Sequence, residues 1–188
     1  MSIVRMYRRA DDGVLHFREA WYDEDYGQVV VNHGTVGHQS ITKESSVESA
    51  EAAEALLTAF EVQCSQDGYA VIPVEEQSWV IAQFALKSAE GTERDRYLER
   101  KARDAVASYF AWRGIGIVDR TEIENGRLNI YSLAPDPAKA VTGIKTCIRE
   151  AKLDYTKLSI GVAPFAEPDA IKIRHTPPPG GSGGSFIL

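Results

Sequence analysis

The stretch Ile123-Glu124-Asn125-Gly126-Arg127-Leu128 joins two alternating runs through Asn-Gly, the strongest two-residue hairpin signal. It predicts antiparallel strands over 115–124 and 127–133. Upstream, Trp79-Val80-Ile81-Ala82-Gln83-Phe84-Ala85-Leu86 is apolar on both faces, as expected of a strand in the middle of a sheet. A helix follows from Gly91 to about residue 112, with Leu98, Ala102, Ala105, Val106 and Tyr109 on one side and Gly114 at its end. Downstream, Pro137 opens a second helix at a position it tolerates, carrying Val141, Ile144, Cys147, Ile148 and Ala151 inward. Residues 158–163 and 171–174 supply closing strands. The order strand, helix, strand, strand, helix, strand predicts an α+β, ferredoxin-like (split βαβ) sandwich over 78–176, with helices on one face of an antiparallel sheet.

The segment before it, 1–73, reads as a separate domain, divided off by Pro73-Val74-Glu75-Glu76-Gln77. Leu15, Phe17 and Trp21 mark an apolar strand face broken only by Glu19. Asp23-Glu24-Asp25-Tyr26-Gly27 is turn chemistry, and Gln28-Val29-Val30-Val31 is the returning strand. Residues 32–39 read as a loop in which Gly34 and Gly37 permit bends that side chains would hinder. Ser45-Ser46-Val47-Glu48 announces a helix through a capping box, with Ser45 as the cap. Ala53, Leu56, Leu57, Phe60 and Cys64 then form its inward stripe, and Gly68 stops it. After the second domain, residues 177–188 are a Pro/Gly/Ser-rich flexible tail with an apolar tip, Phe186-Ile187-Leu188. Such a tip is either unpacked or a tethered hydrophobic peptide for docking.

Composition places the chain among ordinary globular proteins, since 44% hydrophobic residues suffice for packed cores. No run reaches the roughly 18 apolar residues of a membrane span, and no signal-like apolar segment opens the chain, so a cytoplasmic protein with no membrane partner is expected. Cys64 and Cys147 make no Cys-x-x-Cys pair, and their place on apolar stripes predicts buried thiols. Charge is divided unevenly. Residues 1–73 carry five Lys and Arg against twelve Asp and Glu, a net of -7, so the formal charge of -6 belongs to this half.

Residues 15–69 resemble a WGR domain: an aromatic strand ending in Trp21-Tyr22-Asp23, a turn, a valine strand, a glycine loop, and an alanine-rich helix leading to Gly68-Tyr69. In that family the loop reads Arg-Trp-Gly-Arg-Val-Gly, followed by a Gly-Gln step. Here it reads Asn32-His33-Gly34-Thr35-Val36-Gly37, then His38-Gln39. The resemblance implies a WGR-like antiparallel sheet with one helix, and an association with nucleic acid through stacking and phosphate contact. His33 can stack, but Thr35 brings no charge, and an acidic domain repels phosphates. The second domain is similar to small bacterial α/β domains, some of them in proteins that neutralise toxins, which implies an immunity-type role.

Other constellations have plainer readings. His33 and His38 share a loop without a third ligand, so no metal is expected. Glu122 and Glu124 share a strand face, as a carboxylate pair would, but Asn129 and Arg127 lie opposite them and invite cross-strand pairing. Arg96, Arg100 and Arg103 line one flank of a helix, interspersed with Glu93, Asp95, Glu99 and Asp104; Glu99 and Arg103 have the spacing of an i, i+4 pair. No phosphate loop, nucleophile elbow or zinc helix occurs.

The expectation is therefore a non-enzymatic protein-binding module without cofactor, an inhibitor or immunity-type protein whose partner is a basic toxin or enzyme. Its candidate binding residues are Asp23, Glu24, Asp25 and Tyr26 at the hairpin tip and His33, Thr35, His38 and Gln39 in the altered loop. One alternative is a nucleic-acid-binding accessory protein using His33, Lys43, Arg96, Arg100 and Arg103. The other is an enzyme with a dispersed site. The oligomeric state is left open.

Overall fold

The computed structural model describes residues 3–177 and Phe186. The Pro/Gly/Ser stretch of the expected tail, 178–185, and residues 187–188 lie outside the described residues. The architecture is α+β, with antiparallel sheets of four and five strands and three helices among the described residues. Two compact units form: one runs to Ile72 and takes in Trp112–Gly114, the other comprises Pro73–Ala111 and the chain from Ile115.

In the first unit, β1 (Ile3–Arg9), β2 (Leu15–Asp23), β3 (Gln28–Thr35) and β4 (Ile41–Ser46) pair in sequence order. Helix α1 (Ala50–Gln66) lies on one face, where Ala53 and Leu57 pack on Ala20 and Val29, and Cys64 packs with Met6 and Tyr69. On the opposite face Phe17 is fully buried, and the Tyr7 hydroxyl donates to the Gly114 carbonyl at 3.2 Å. Glu19, which interrupts the apolar alternation, is buried on this same face and ion-paired with its register partner Arg5.

Several expectations for this unit need correction. Residues 32–35 are not loop: β3 continues through Thr35, because β2 pairs with it as far as His16↔Thr35. Gly34 is therefore a strand residue, whereas Gly37 does take a left-handed φ of 89°. Ser45 does not cap α1. It sits in β4 opposite Val29, and the cap is Ser49, whose hydroxyl accepts from the Ala52 amide at 3.2 Å. Leu56 is 46% exposed, because the buried row Ala53, Leu57, Cys64 leaves it at the rim of the stripe. Gly68 follows the helix as expected, with the Tyr69 amide donating back to Cys64 across the stop.

In the second unit, β5 (Ser78–Ala85) is central, and the sheet order is β6-β7-β5-β8-β9, with β6 Ile117–Glu124, β7 Arg127–Ala134, β8 Leu158–Pro164 and β9 Lys172–His175. Asn125 and Gly126, at φ 51° and 72°, make the β6–β7 turn, the two positive dihedrals that a right-twisted two-residue hairpin demands. Helices α2 (Glu93–Ala111) and α3 (Pro137–Glu150) pack together on the face carrying Val80, Ala82 and Phe84. Asp136 caps α3 by accepting from the Lys139 amide at 3.0 Å. Ala151 is exposed as the C-cap instead of facing inward, and Phe110, absent from the expected stripe of α2, is fully buried. Both cysteines are buried and neither is in a disulfide, as their apolar positions implied.

A bulge at Asp119 shifts the β6 register between Val118 and Arg120. The extra residue brings Arg120 opposite Tyr131, on the sheet face that α2 and α3 leave uncovered within this unit. No helix among the described residues is long and apolar enough to cross a membrane.

Candidate functional site

The hairpin tip between β2 and β3 presents Glu24, Asp25 and Tyr26 to solvent, with Tyr26 77% exposed, while Asp23 closes the strand pair opposite Gln28. Beside this tip is an open cleft of about 360 Å³. Its apolar walls are Val4 and Tyr22 from the sheet and Ala53 and Leu57 from α1, and its carboxylates are Glu24, Glu54 and Glu61. Ala53 and Leu57 hold the helix to the sheet. Glu54 and Glu61 lie one edge further around the helix, so packing of the apolar row forces them to border the same concavity as Glu24. Among the described residues none of these three carboxylates takes part in an ion pair.

That combination suits one kind of side chain. Lysine and arginine bury an aliphatic stem against apolar surface while keeping the cationic head in polar surroundings. The cleft offers apolar walls for a stem and three carboxylates for the head. Glu24 was legible in the sequence as part of an acidic tip. Glu54 and Glu61 carry a fainter signal, the i, i+3, i+4, i+7 spacing of Glu54, Leu57, Thr58 and Glu61 along one helix flank.

The altered loop is arranged differently from the expected open set. His33 is a half-buried strand residue between Arg18 and Ile41 in register, and Thr35 Oγ1 lies 3.4 Å from His16 Nδ1. His38 and Gln39 are exposed in the turn after β3, with the His38 amide donating to Thr35. Lys43 is exposed on β4. Among the described residues no group of three or more His, Cys, Asp or Glu could hold a metal ion.

In the other unit, Arg103 donates to Asp104 at 2.9 Å, and Arg96 lies 3.9 Å from Glu99. The expected Glu99–Arg103 pair does not form, because Glu99 accepts from Thr121 Oγ1 at 2.5 Å. Arg100 is exposed on the same helix. Glu122 faces Asn129 and Glu124 faces Arg127, as the hairpin register implied, but Glu122 pairs along its own strand with Arg120 at 2.7 Å.

The uncovered face of this sheet holds a second concavity, of about 420 Å³, among Trp79, Ile81, Tyr131, Phe165 and Arg120. Trp79 stacks on Phe165 at 5.7 Å, and the Arg120 guanidinium lies 3.9 Å over the Tyr131 ring. Burial pushes the Tyr131 hydroxyl up to about 12, helped by Glu122. Arg120 is engaged by both Glu122 and Asp119, so its charge is largely met within the strand.

Near the end of α1, Arg18 donates to Asp67 at 2.5 Å and lies 4.4 Å over the Tyr69 ring. Hydrogen bonds from Arg18 and Gln63 hold the Asp67 carboxyl below the ordinary carboxylate range. A carboxyl depressed in the folded state contributes stability above its unfolded pKa and loses it as pH falls through the folded value. Asp67→Asn is therefore expected to flatten the acid limb of the stability curve below about pH 4. Urea melts taken from neutral to acid pH check this; an acid limb identical to that of the unchanged chain would count against it.

Compared with family models, curated proteins and solved structures, the chain matches none of them.

Proposed function

We propose that this protein is a non-enzymatic binding module that captures a basic protein through the acidic cleft beside the β2–β3 tip, in the manner of an inhibitor or immunity-type protein of the cytoplasm. The observation that carries the reading is the cleft itself: apolar walls flanked by Glu24, Glu54 and Glu61, next to an exposed tyrosine. A lysine or arginine from the partner enters with its stem on Leu57 and Tyr22 and its charge among the carboxylates. Tyr26 supplies the rigid amphipathic surface that interfaces favour. The -7 charge of residues 1–73 adds a long-range field that speeds encounter with a cationic surface.

The scaffold supports the fold readings behind this proposal. A four-stranded meander carrying one helix suits the WGR-like description of the first unit. In the second, β6-β7-β5-β8 around a central β5, with two helices on one face, suits the ferredoxin-like description. The altered loop, with Thr35 against His16 and His33 half-buried, offers little for stacking or phosphate contact, which favours protein over nucleic acid.

Titration of a labelled lysine-rich peptide, followed by anisotropy, tests the electrostatic part. Affinity is expected to fall about tenfold or more between roughly 50 and 500 mM salt, as screening shortens the reach of the field. Absence of binding at the low-salt end would remove the proposal.

A further inference from the structure

Gly161 sits in β8 beside Ile81 of β5, and Ile81 is in turn paired with Tyr131, so Gly161 lies on the uncovered face of the second sheet. It is the one place along that row of three where no side chain rises from the strand. The ring of Phe186 occupies the space: a Cβ placed on Gly161 would lie 2.7 Å from Phe186 Cζ and 2.8 Å from Ile171 Cγ2. The ring thus rests directly on the backbone, which only glycine permits. Ile81, its neighbour in the row, also borders the concavity of Trp79, Tyr131 and Arg120.

We propose that Gly161 and Ile171 form a socket for an aromatic side chain, filled in cis by this chain's own Phe186. A partner's aromatic residue reaches the socket, and the adjoining concavity, only by displacing Phe186. The socket is independent of the acidic cleft and would stand if that reading failed. Its occupant is argued from three facts: the phenyl ring is seated there, glycine supplies the room, and the eleven residues from His175 at the end of β9 to Phe186 provide ample length for a return to the sheet.

The test uses the full chain, its Phe186→Ala variant, and a fluorescein-labelled peptide of sequence Ser-Gly-Gly-Ser-Phe-Ile-Leu. A tethered occupant acts at an effective concentration on the order of millimolar, so the unchanged chain competes with the peptide. The Phe186→Ala chain is expected to bind it about tenfold more tightly than the unchanged chain. Adding Gly161→Ala to Phe186→Ala is expected to abolish that binding while far-UV circular dichroism stays unchanged. A second measurement does not depend on how the Gly161 variant folds. The α-proton resonances of Gly161 should carry a ring-current shift in the unchanged chain that Phe186→Ala removes. Equal peptide affinity for the two chains, or an unmoved Gly161 resonance, would overturn the proposal. So would a concentration-dependent dimer that Phe186→Ala dissolves, because the occupant would then be a second copy.

Discussion

Glu19→Ala is expected to cost the first unit about 3–5 kcal/mol, the usual result of stripping one partner from a buried ion pair. The Glu19 side chain is 4% exposed and that of Arg5 15%, so the guanidinium left behind has little access to water. Domains are stable by only about 5–15 kcal/mol, so the loss removes much of the margin. Truncation is costly because it leaves a charge behind, and the pair itself need not be strongly stabilising. The double replacement Arg5→Met with Glu19→Leu should therefore recover most of the loss. Urea denaturation of the three chains measures both effects. A single variant within about 1 kcal/mol of the unchanged chain would mean that the pair is effectively solvated.

Gly114→Ala comes next, at about 3 kcal/mol, from backbone strain and overpacking together. Gly114 has φ 58°, and a Cβ there would lie 2.2 Å from Cγ of the fully buried Phe17 ring. The ring is wedged in the sheet core, and moving it also disturbs the Tyr7 hydroxyl bond to the Gly114 carbonyl. Gly13 separates the two contributions. Its φ is 82°, but nothing lies within 4 Å of its would-be Cβ, so Gly13→Ala carries the backbone cost alone, about 1–2 kcal/mol. Equal losses for the two variants in urea melts would show that Phe17 does not confine Gly114.

The parts of the fold that were legible in the sequence are those governed by local chemistry. Asn125-Gly126 sets its hairpin through two positive dihedrals, Pro137 starts α3, and β5 declares itself central by being apolar on both faces. The first unit was harder because tertiary contacts override its pattern. Strand β1 hides behind Arg5, Arg8 and Arg9; Arg5 is buried through Glu19, and Arg8 lies 5.0 Å over Tyr69. Strand β4, Ile-Thr-Lys-Glu-Ser-Ser, is mostly exposed and exists by hydrogen bonding to β3 rather than by burial, so no apolar alternation reports it. Its pairing through Ser46 also keeps Ser45 extended and delays the helix to Ser49.

The candidate site divides the same way. Asp23, Glu24, Asp25 and Tyr26 stand together in the sequence and could be read as a charged tip. The contribution of Glu54 and Glu61 depends on which flank of α1 turns towards Tyr22 and Val4, and that is decided only when Ala53 and Leu57 settle on the sheet.

The central claim, that the cleft and not merely the acidic field binds a basic partner, is tested most directly by comparing two charge-matched variants against the lysine-rich peptide at low salt. One carries Glu24→Gln, Glu54→Gln and Glu61→Gln; the other carries Asp11→Asn, Asp12→Asn and Glu48→Gln, at exposed positions that do not line the cleft. Both remove the same net charge. The cleft variant is expected to lose about tenfold or more in affinity, the control no more than about twofold. Equal losses in the two would contradict the account, leaving only a diffuse field and no site.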